Sequence, residues 1–252
     1  MKEHQARLPV AILAGGLATR LRPIAETLPK ALFKIVDRPF LEYQVSSLRE
    51  QNLCDIVVCA GFLGDQIQET FGDGRRYGVQ IRYSFDGPTL LGTGGAIRRA
   101  LPLLGDNFFV LYGDSYLQID YTAVATAFFS SGRDALLTVF RNRNQWDTSN
   151  VEFADGEIKA YDKKERTSRM TYIDYGLSVY SSRVFDSYPM DVSFDLADVL
   201  QDLVAVRQLA GYETQTRFYE IGSFAGIEAL TEALTEVLTN NGSKNERELR
   251  NE

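Results

Sequence analysis

The feature that most constrains this chain is an apolar strand that runs directly into glycines. Val10–Leu13 are all apolar, and an alanine and two glycines follow at residues 14–16. With no side chains in the way, backbone N–H groups after such a strand can form a concave nest that binds oxyanions. Arg20 and Lys30 follow within the next turns and supply positive charge for the same ligand. The segment therefore predicts a loop that binds an anionic ligand at the end of a buried strand.

Two common phosphate-binding motifs do not match this loop. A P-loop requires GxxxxGK followed by Ser or Thr, and a dinucleotide fold requires GxGxxG at the start of a helix. Here Gly15 and Gly16 are followed by Leu17, Ala18 and Thr19. An ordinary turn with surface arginines is the alternative for the two glycines alone, but it does not account for the whole charged segment.

The segments LAGGLATRLRP and LPKAL resemble the signature of the sugar-1-phosphate nucleotidyltransferases, usually LAGGxGTRLxP followed by PKxL. These enzymes join a nucleoside triphosphate to a sugar 1-phosphate and release pyrophosphate. The resemblance implies that Arg20 holds the pyrophosphate and that Lys30 stabilises charge at the α-phosphate. Ala18 stands where the family usually has glycine, and we interpret it as a tolerated departure. The loop residues that the resemblance assigns to nucleotide binding are Leu13, Ala14, Gly15 and Gly16.

Length and charge exclude several classes of protein. The 252 residues suffice for one sizeable α/β domain, and no apolar run is long enough to span a membrane. The formal net charge of −7 argues against a nucleic-acid groove and makes polyphosphate binding depend on local charge and a divalent cation. Cys54 and Cys59 indicate a reducing compartment, and the polar start MKEHQAR is no signal peptide, so we expect a cytoplasmic protein. The single histidine is His4, so we expect chemistry without a histidine base.

Strand and helix patterns alternate through the first half of the chain. Apolar spacing predicts a helix after Pro39, and strands and helices then alternate as far as a strand at residues 108–112. This order predicts an α/β fold with a mixed, mostly parallel central sheet flanked by helices. The resemblance implies the Rossmann-like nucleotidyltransferase version of that fold. Ligands of such sheets bind at the carboxyl ends of the strands.

Two further loops fall on the predicted carboxyl edge. The segment LLGTGGAIRRAL places Gly92 and Thr93 at a helix start, where the backbone can approach a flat ligand and the helix dipole can meet an anion. In the family a similar LGTxGA segment borders the nucleobase.

The segment VLYGDSYL ends a strand with Gly113 and Asp114 and resembles the family's GD motif, whose aspartate binds Mg²⁺ shared with the triphosphate. A turn former or helix cap is the alternative for Asp114 alone.

The second half of the chain predicts a sugar-binding wall of antiparallel strands. Short β-rich runs separated by polar residues occupy residues 134–181. Lys163 and Lys164 fall where the family has an F-x-E-K segment whose lysine contacts the sugar phosphate, and either lysine fits the register. A solvated charge cluster is the alternative for both. Asp174 and Gly176 occupy the place of a strand that contacts sugar hydroxyls in the family.

A second acidic position lies near the end of the chain. RFYEIGSFAG resembles the family's xxDIGTPxxL segment, whose aspartate is the second metal ligand, and Glu220 stands at that place. Glutamate is a hard oxygen donor suited to Mg²⁺ or Mn²⁺. We therefore predict one nucleotidyltransferase domain over residues 1–239, with a nucleotide half at 8–131 and a sugar half at 132–239. Residues 240–252 are charged and amide-rich and are predicted to form a disordered tail.

The predicted reaction is attack of a hexose or heptose 1-phosphate on the α-phosphorus of a nucleoside triphosphate, which supplies nucleotide sugar for polysaccharide biosynthesis. Asp86 precedes the glycine-rich segment and could accept hydrogen bonds from the N1–H and N2–H₂ edge of guanine, which favours GTP. An exposed turn aspartate before Gly87 is the alternative. The segment YSFDGPTLLGTGGAI is also similar to heptose and mannose 1-phosphate guanylyltransferases. The sequence leaves the sugar and a homo-oligomeric state undetermined.

Two rival functions come from other classes. A catalytically silent homologue that binds nucleotide sugar and regulates a partner enzyme is favoured by Ala18, Ser115 and Glu220, which depart from the family pattern. It is disfavoured because each charged role is still filled. A glycosyltransferase would need a DxD metal motif after the strand, and GDS at residues 113–115 does not supply one.

Overall fold

A nine-stranded mixed sheet forms the centre of the computed structural model, which describes residues 8–248. The order across this sheet is β5-β4-β1-β6-β11-β8-β12-β10-β9, while β2 pairs with β3 and β7 pairs with β13 in two small ladders. The strands are β1 (Val10–Leu13), β2 (Lys34–Ile35), β3 (Arg38–Pro39), β4 (Asp55–Ala60), β5 (Gln80–Phe85), β6 (Asn107–Tyr112), β7 (Ser115–Tyr116), β8 (Ala135–Phe140), β9 (Val151–Ala154), β10 (Glu157–Tyr161), β11 (Ile173–Ser181), β12 (Leu209–Thr214) and β13 (Tyr219–Glu220).

Strand direction places several loops at one edge of the sheet. β1, β4, β5 and β6 are parallel, as the alternation of strands and helices predicts. β11 runs antiparallel to both β6 and β8, so β8 points in the same direction as β6, and β12 is parallel to β8. The antiparallel pairs β11–β8 and β10–β9 confirm the antiparallel strands predicted over residues 134–181, and the parallel strand β12 comes from a later segment. The carboxyl ends of β1, β6, β8 and β12 therefore share one edge.

Helices cover both faces of the sheet. The helices are α1 (Phe40–Glu50), α2 (Gly64–Phe71), α3 (Gly92–Leu104), α4 (Tyr121–Ser131), α5 (Leu196–Ala205) and α6 (Phe224–Glu248). Helices α1, α2 and α4 pack on the face that holds Val10 and Ile12, and α3 and α5 pack on the face that holds Ala11. Because successive residues of β1 enter opposite cores, the strand is apolar throughout. Full burial of a valine or isoleucine side chain contributes roughly 1.5–3 kcal/mol.

Helix α5 begins at Leu196, directly after an aspartate that caps it. The carboxylate of Asp195 accepts the N–H of Ala197 at 2.9 Å, and Asp198 completes a capping box with it. An aspartate at this position satisfies N–H groups that lack a partner within the helix. Asp195 therefore fixes the first residue of the helix as Leu196.

The end of the chain differs from the predicted disordered tail. Helix α6 continues to Glu248, so residues 240–248 are helical. Residues 1–7, which include His4, and residues 249–252 lie outside the described part of the chain. Within residues 8–248, no helix has both the length and the apolar character that crossing a membrane requires.

Candidate active site

The glycine loop after β1 lies at the carboxyl edge of the sheet. The Ala14 N–H donates to the Cys59 carbonyl at 2.9 Å, which continues the β1–β4 ladder into the loop. A Cβ on Gly15 would lie 3.1 Å from the backbone nitrogen of Gly61, whereas a Cβ on Gly16 would meet no heavy atom within 4 Å. The loop backbone is therefore packed tightly against the protein at Gly15 and is open at Gly16.

Ala18 adopts a conformation that glycine adopts more easily. Its φ of 46° and ψ of 42° lie in the left-handed region, which costs an L-residue roughly 1–2 kcal/mol relative to a right-handed conformation. The 3₁₀ turn Thr19–Leu21 follows directly and carries Arg20. Ala18 thus keeps the backbone course of a glycine at an energetic cost.

Gly113 and Asp114 follow β6 and lie beside the glycine loop. The Gly113 N–H donates to the Leu13 carbonyl at 3.0 Å, and a Cβ on Gly113 would lie 2.3 Å from that same oxygen. Glycine alone fits this approach. Lys30 Nζ donates to Asp114 Oδ2 at 2.8 Å in a partly buried ion pair. Two predicted site residues that are 84 positions apart are thus in direct contact.

Glu220 reaches the same place from β13. The β13–β7 ladder pairs Glu220 with Ser115, and the Ile221 N–H donates to the Asp114 carbonyl at 2.9 Å. A Cβ on Gly222 would lie 3.8 Å from both Asp114 Oδ2 and Glu220 Oε1, so the glycine leaves open space beside both carboxylates. Hard oxygen donors around such a space fit Mg²⁺. In the described part of the chain, no three His, Cys, Asp or Glu side chains group as a metal site.

The charges around Glu220 oppose its ionisation. Burial raises the pKa of the Glu220 carboxyl, and the negative charges of Asp114 and Asp147 raise it further, while Lys30 and Arg20 oppose that shift. Arg20 is exposed and does not line the main cleft, so its contact with pyrophosphate stays a prediction. Asp147 is a third acidic neighbour that the sequence did not reveal.

Gln44 of α1 holds the turn that carries Asp114. Its Nε2 donates to the carbonyls of Tyr112 at 3.0 Å and Ser115 at 2.8 Å, which flank that turn. Gln44 is 3% exposed, and its buried Oε1 has no hydrogen-bond partner among the described residues. A buried unpaired acceptor costs about 1–3 kcal/mol. The sequence signal for this residue is a polar side chain on the apolar face of an amphipathic helix.

Asp86 lines the cleft beyond the end of β5. The Leu91 N–H donates to its Oδ2 at 3.0 Å, and Arg99 donates to its backbone carbonyl at 2.6 Å. Burial raises the pKa of the Asp86 carboxyl, and the Leu91 hydrogen bond and the Arg99 charge oppose that shift. The alternative of an exposed turn aspartate is wrong, because Asp86 is only 5% exposed.

The start of α3 uses two of its amides within the protein. Gly92 and Thr93 line the cleft, but the N–H groups of Gly94 and Gly95 donate to the Phe194 carbonyl at 3.0 and 3.4 Å. These two amides are engaged within the protein, so the helix start does not offer them to an anion. The sequence could not show this, because Phe194 arrives from a distant segment of the chain.

The two candidate lysines occupy different positions. Lys163 lines the cleft, with its Nζ 5.7 Å from the centroid of the Tyr112 ring and thus in cation–π range. Both lysines are exposed, but Lys164 does not line the cleft. The geometry therefore favours Lys163 as the residue that meets a ligand.

Asp174 is engaged by the protein itself. Its Oδ2 accepts the hydroxyls of Tyr112 at 2.9 Å and Tyr161 at 3.2 Å, and its Oδ1 accepts the Gly176 N–H at 3.0 Å. Gly176 has a φ of 94°, and a Cβ there would lie 2.6 Å from Ser115 Oγ. Asp174 thus fixes the tyrosine ring beneath Lys163. Contact of Asp174 and Gly176 with sugar hydroxyls stays a prediction.

The cleft has a volume of about 420 Å³ and gathers most of the predicted residues. The predicted residues that line it are Leu13, Ala14, Gly15, Gly16, Lys30, Asp86, Gly92, Thr93, Gly113, Asp114 and Lys163. Those that do not line it are Arg20, Lys164, Asp174, Gly176 and Glu220.

Comparison with known proteins identifies relatives along most of the chain. A family model described as nucleotidyl transferase matches residues 10–237. A UTP–glucose-1-phosphate uridylyltransferase of Synechocystis is 30% identical over 77% of this chain and 54% of its own length, so the chain spans little more than half of that relative. An N-acetylmuramate α-1-phosphate uridylyltransferase of Neisseria meningitidis is 28% identical over 86% of this chain and 94% of its own length. A D-glycero-α-D-manno-heptose 1-phosphate guanylyltransferase of Campylobacter jejuni is 28% identical over 76% of this chain and 84% of its own length.

Solved structures share the fold. HddC of Yersinia pseudotuberculosis, complexed with GMP-PN, has a TM-score of 0.74 at 24% identity and covers 90% of this chain and 99% of its own. A UDP-glucose pyrophosphorylase of Acinetobacter has a TM-score of 0.73 at 18% identity, with 89% and 92% coverage. At such identities the likeness establishes the fold alone, and it confirms the predicted Rossmann-like α/β architecture.

Proposed function

This chain belongs to the nucleotidyl transferase family, and we propose that it transfers a nucleotidyl group from a nucleoside triphosphate to a sugar 1-phosphate with release of pyrophosphate. The observation that carries the proposal is one cleft in which Gly15, Gly16, the Lys30–Asp114 ion pair and Lys163 meet. The open loop backbone suits phosphate oxygens, and the two lysines provide separate cations for the two substrates.

The proposed reaction needs no general base. The sugar 1-phosphate dianion is already a nucleophile, and one of its oxygens attacks the α-phosphorus in line with the departing group. A bond forms between that oxygen and the α-phosphorus, while the bond from the α-phosphorus to the α–β bridging oxygen breaks. Pyrophosphate leaves with the electron pair. Catalysis then consists of positioning the reactants and neutralising charge.

Three cations are proposed for three parts of the substrates. Lys30 would stabilise charge at the α-phosphate, where its pairing with Asp114 already fixes its ammonium group. Arg20, on the turn after the glycine loop, would hold the departing pyrophosphate. Lys163 would hold the sugar phosphate, a role its position in the cleft supports. Removal of one such donor typically lowers turnover by a factor of about 10²–10³.

We propose Mg²⁺ as the cofactor, with Asp114 and Glu220 as the residues that would hold it. The space that Gly222 leaves beside both carboxylates supports this assignment. When bound, the ion would neutralise phosphate charge and orient the triphosphate. Mn²⁺ also binds carboxylate and phosphate oxygens and should substitute for it.

GTP is the proposed donor, on the strength of Asp86. An ionised carboxylate can accept both the N1–H and the N2–H₂ of guanine, whereas uracil and thymine offer one N–H between two carbonyl oxygens that repel it. Leu91 engages Asp86 Oδ2. Among the described residues, Oδ1 accepts no hydrogen bond and is free for a base.

The test is pyrophosphate release by the full chain with five nucleoside triphosphates, each paired with a panel of hexose and heptose 1-phosphates. We expect release with at least one pair, loss with EDTA, recovery with Mg²⁺ or Mn²⁺, and the highest kcat/KM with GTP. Asp86→Ala should remove the preference for GTP, while Asp65→Ala on α2 should retain it. Tight binding of nucleotide sugar without pyrophosphate release from any pair would replace the enzyme with a silent sensor. A higher kcat/KM with UTP, dTTP or CTP would overturn the choice of base alone.

A further inference from the structure

The loop after β8, residues 141–149, stands at the same edge of the sheet as the cleft. β8 points in the direction of β6, so its carboxyl end lies one strand away from the end that carries Gly113 and Asp114. β12 ends at this edge too, and the chain then returns to β13 and Glu220. The loop therefore belongs to the wall of the sugar half.

Buried polar side chains fix the shape of this loop. Asn142 Nδ2 donates to the Asp147 carbonyl at 2.5 Å, and Asn142 Oδ1 accepts the Trp146 N–H at 3.1 Å. Ser149 Oγ accepts the Asn144 N–H at 3.0 Å, and Asn144 Oδ1 accepts the Ser149 N–H at 2.8 Å. Asn142 and Ser149 are 1% and 2% exposed. Asp147 thus stands at a fixed position although its side chain is exposed.

An aromatic–cation stack ties the loop to the strand of Glu220. The Arg217 guanidinium lies 3.6 Å from the centroid of the Trp146 ring and 4.6 Å from the centroid of the Tyr219 ring. Tyr219 and Glu220 together form β13. A guanidinium over the face of an aromatic ring is attracted by the ring quadrupole, and Arg217 has this contact with both rings. The stack therefore holds the loop that carries Asp147 next to β13, which carries Glu220.

The carboxylate of Asp147 is not neutralised by the protein. Among the described residues it forms no ion pair, and its one hydrogen bond comes from the adjacent Thr148 N–H at 2.5 Å. Its neighbour Trp146 lies against Arg217, which also contacts Tyr219 beside Glu220, so the loop that carries the Asp147 carboxylate is packed next to β13. A fixed and unpaired carboxylate at a substrate edge can accept hydroxyl hydrogen bonds and repel other carboxylates.

We propose that Asp147 is a specificity-determining residue that accepts hydrogen bonds from hydroxyls of a neutral sugar 1-phosphate and disfavours sugars that carry a carboxylate. This inference rests on the proposed function and narrows its substrate class. A hydrogen bond to a charged group is worth more than one between neutral groups, so a hydroxyl gains at Asp147. A uronic acid would place two negative charges close together beside an already acidic site.

The test compares Asp147→Asn with Asp106→Asn, an exposed aspartate at the start of β6 on the opposite edge of the sheet. Pyrophosphate release is measured with the best neutral hexose or heptose 1-phosphate and with glucuronic acid 1-phosphate. For Asp147→Asn we expect kcat/KM for the neutral sugar to fall about tenfold or more and kcat/KM for the acidic sugar to rise. The KM for the triphosphate should change less than the KM for the sugar, and Asp106→Asn should match wild type.

Trp146→Ala provides the second readout. It keeps the carboxylate but removes the stack, so the preference for the neutral sugar over the acidic sugar should fall to a value between those of wild type and Asp147→Asn. An unchanged ratio in Asp147→Asn, or an equal loss with both sugars, would overturn the inference while leaving the reaction class intact. Absence of pyrophosphate release by wild type with every pair would instead overturn the proposed function, and this inference with it.

Discussion

Replacing Gly113 with alanine tests whether the site depends on the close approach of two backbone turns. The new Cβ would lie 2.3 Å from the Leu13 carbonyl oxygen, 2.9 Å from the Leu13 carbonyl carbon and 3.2 Å from the Ala14 Cα. These are all backbone atoms, so no side chain can rotate away. Overpacking costs about 1–3 kcal/mol, and losing the Gly113–Leu13 hydrogen bond adds about 1 kcal/mol. We expect a loss of about 2–4 kcal/mol in the free energy of unfolding, which lowers Tm by roughly 5–15 °C.

The same substitution should move the glycine loop away from Asp114 and thereby lower activity. Leu13 leads into the glycine loop, and Asp114 follows Gly113, so relief of the clash moves the loop away from Asp114 and its partner Lys30. A displacement of about 1 Å in a positioned site can lower the rate about a hundredfold. We expect kcat/KM for the triphosphate to fall by about this factor, measured as pyrophosphate release well below the Tm of the variant.

Gly16→Ala is the matched control for stability. Its Cβ would meet no heavy atom within 4 Å, and its backbone is not left-handed. The Tm should stay level or rise slightly, since alanine restricts the unfolded chain, while the methyl group should raise the KM for the triphosphate. Thermal unfolding followed by circular dichroism measures the first effect, and the pyrophosphate assay measures the second. Wild-type Tm and turnover in Gly113→Ala would refute the argument from backbone proximity.

Three further substitutions test other parts of the site. Gly222→Ala introduces no clash, since the nearest heavy atoms to the new Cβ lie 3.8–3.9 Å away, so Tm should hold. The Mg²⁺ concentration for half-maximal activity should rise about tenfold, and an unchanged Mg²⁺ dependence would contradict the metal assignment. Gln44→Met removes both side-chain hydrogen bonds that hold the Asp114 turn and should lower kcat at least about tenfold. The control Gln51→Met, at the end of the same helix, should leave kcat unchanged. Equal kcat in the two variants would remove Gln44 from this role. Burial raises the pKa of Asp86, so its ionised form destabilises the fold at pH 7, and this penalty vanishes below the ordinary carboxyl pKa of about 3.9. Asp86→Asn should therefore raise Tm at pH 7, leave it level near pH 3, and reduce the preference for GTP at pH 7; a lower Tm at pH 7 would contradict the burial argument.

The sequence was informative where local pattern decides structure. The apolar run Val10–Leu13 predicted a strand, because a strand buried on both faces is apolar at every position. The glycines after it predicted a loop at the carboxyl edge of the sheet, because a tight turn there requires residues without side chains. Asp114 could be placed for the same reason, since it follows an apolar strand and a glycine. The contact between Lys30 and Asp114 follows from bringing two such turns together.

Prediction was limited where partners come from distant segments. Phe194 engages the amides at the start of α3, and Tyr112 and Tyr161 engage Asp174. Neither contact leaves a signal in the residues nearby. Asp147 is likewise an ordinary exposed aspartate in sequence, and only the packing of Trp146 on Arg217 distinguishes it. Local pattern therefore located the edge and the loops, while tertiary contacts decided which groups stay available to a ligand.

The charges around Glu220 lower the stability of the fold, and a ligand with positive charge would relieve this penalty. Asp114 is already paired with Lys30, so the penalty of gathering acidic groups falls on Glu220, whose pKa is raised by burial and by two neighbouring carboxylates. A group held against its preferred protonation state lowers stability at neutral pH. A ligand that supplies positive charge at that point relieves the penalty, and the free energy of this relief adds to its binding. In the proposed function, relief of this penalty would add to the affinity for the Mg²⁺ that binds with the triphosphate.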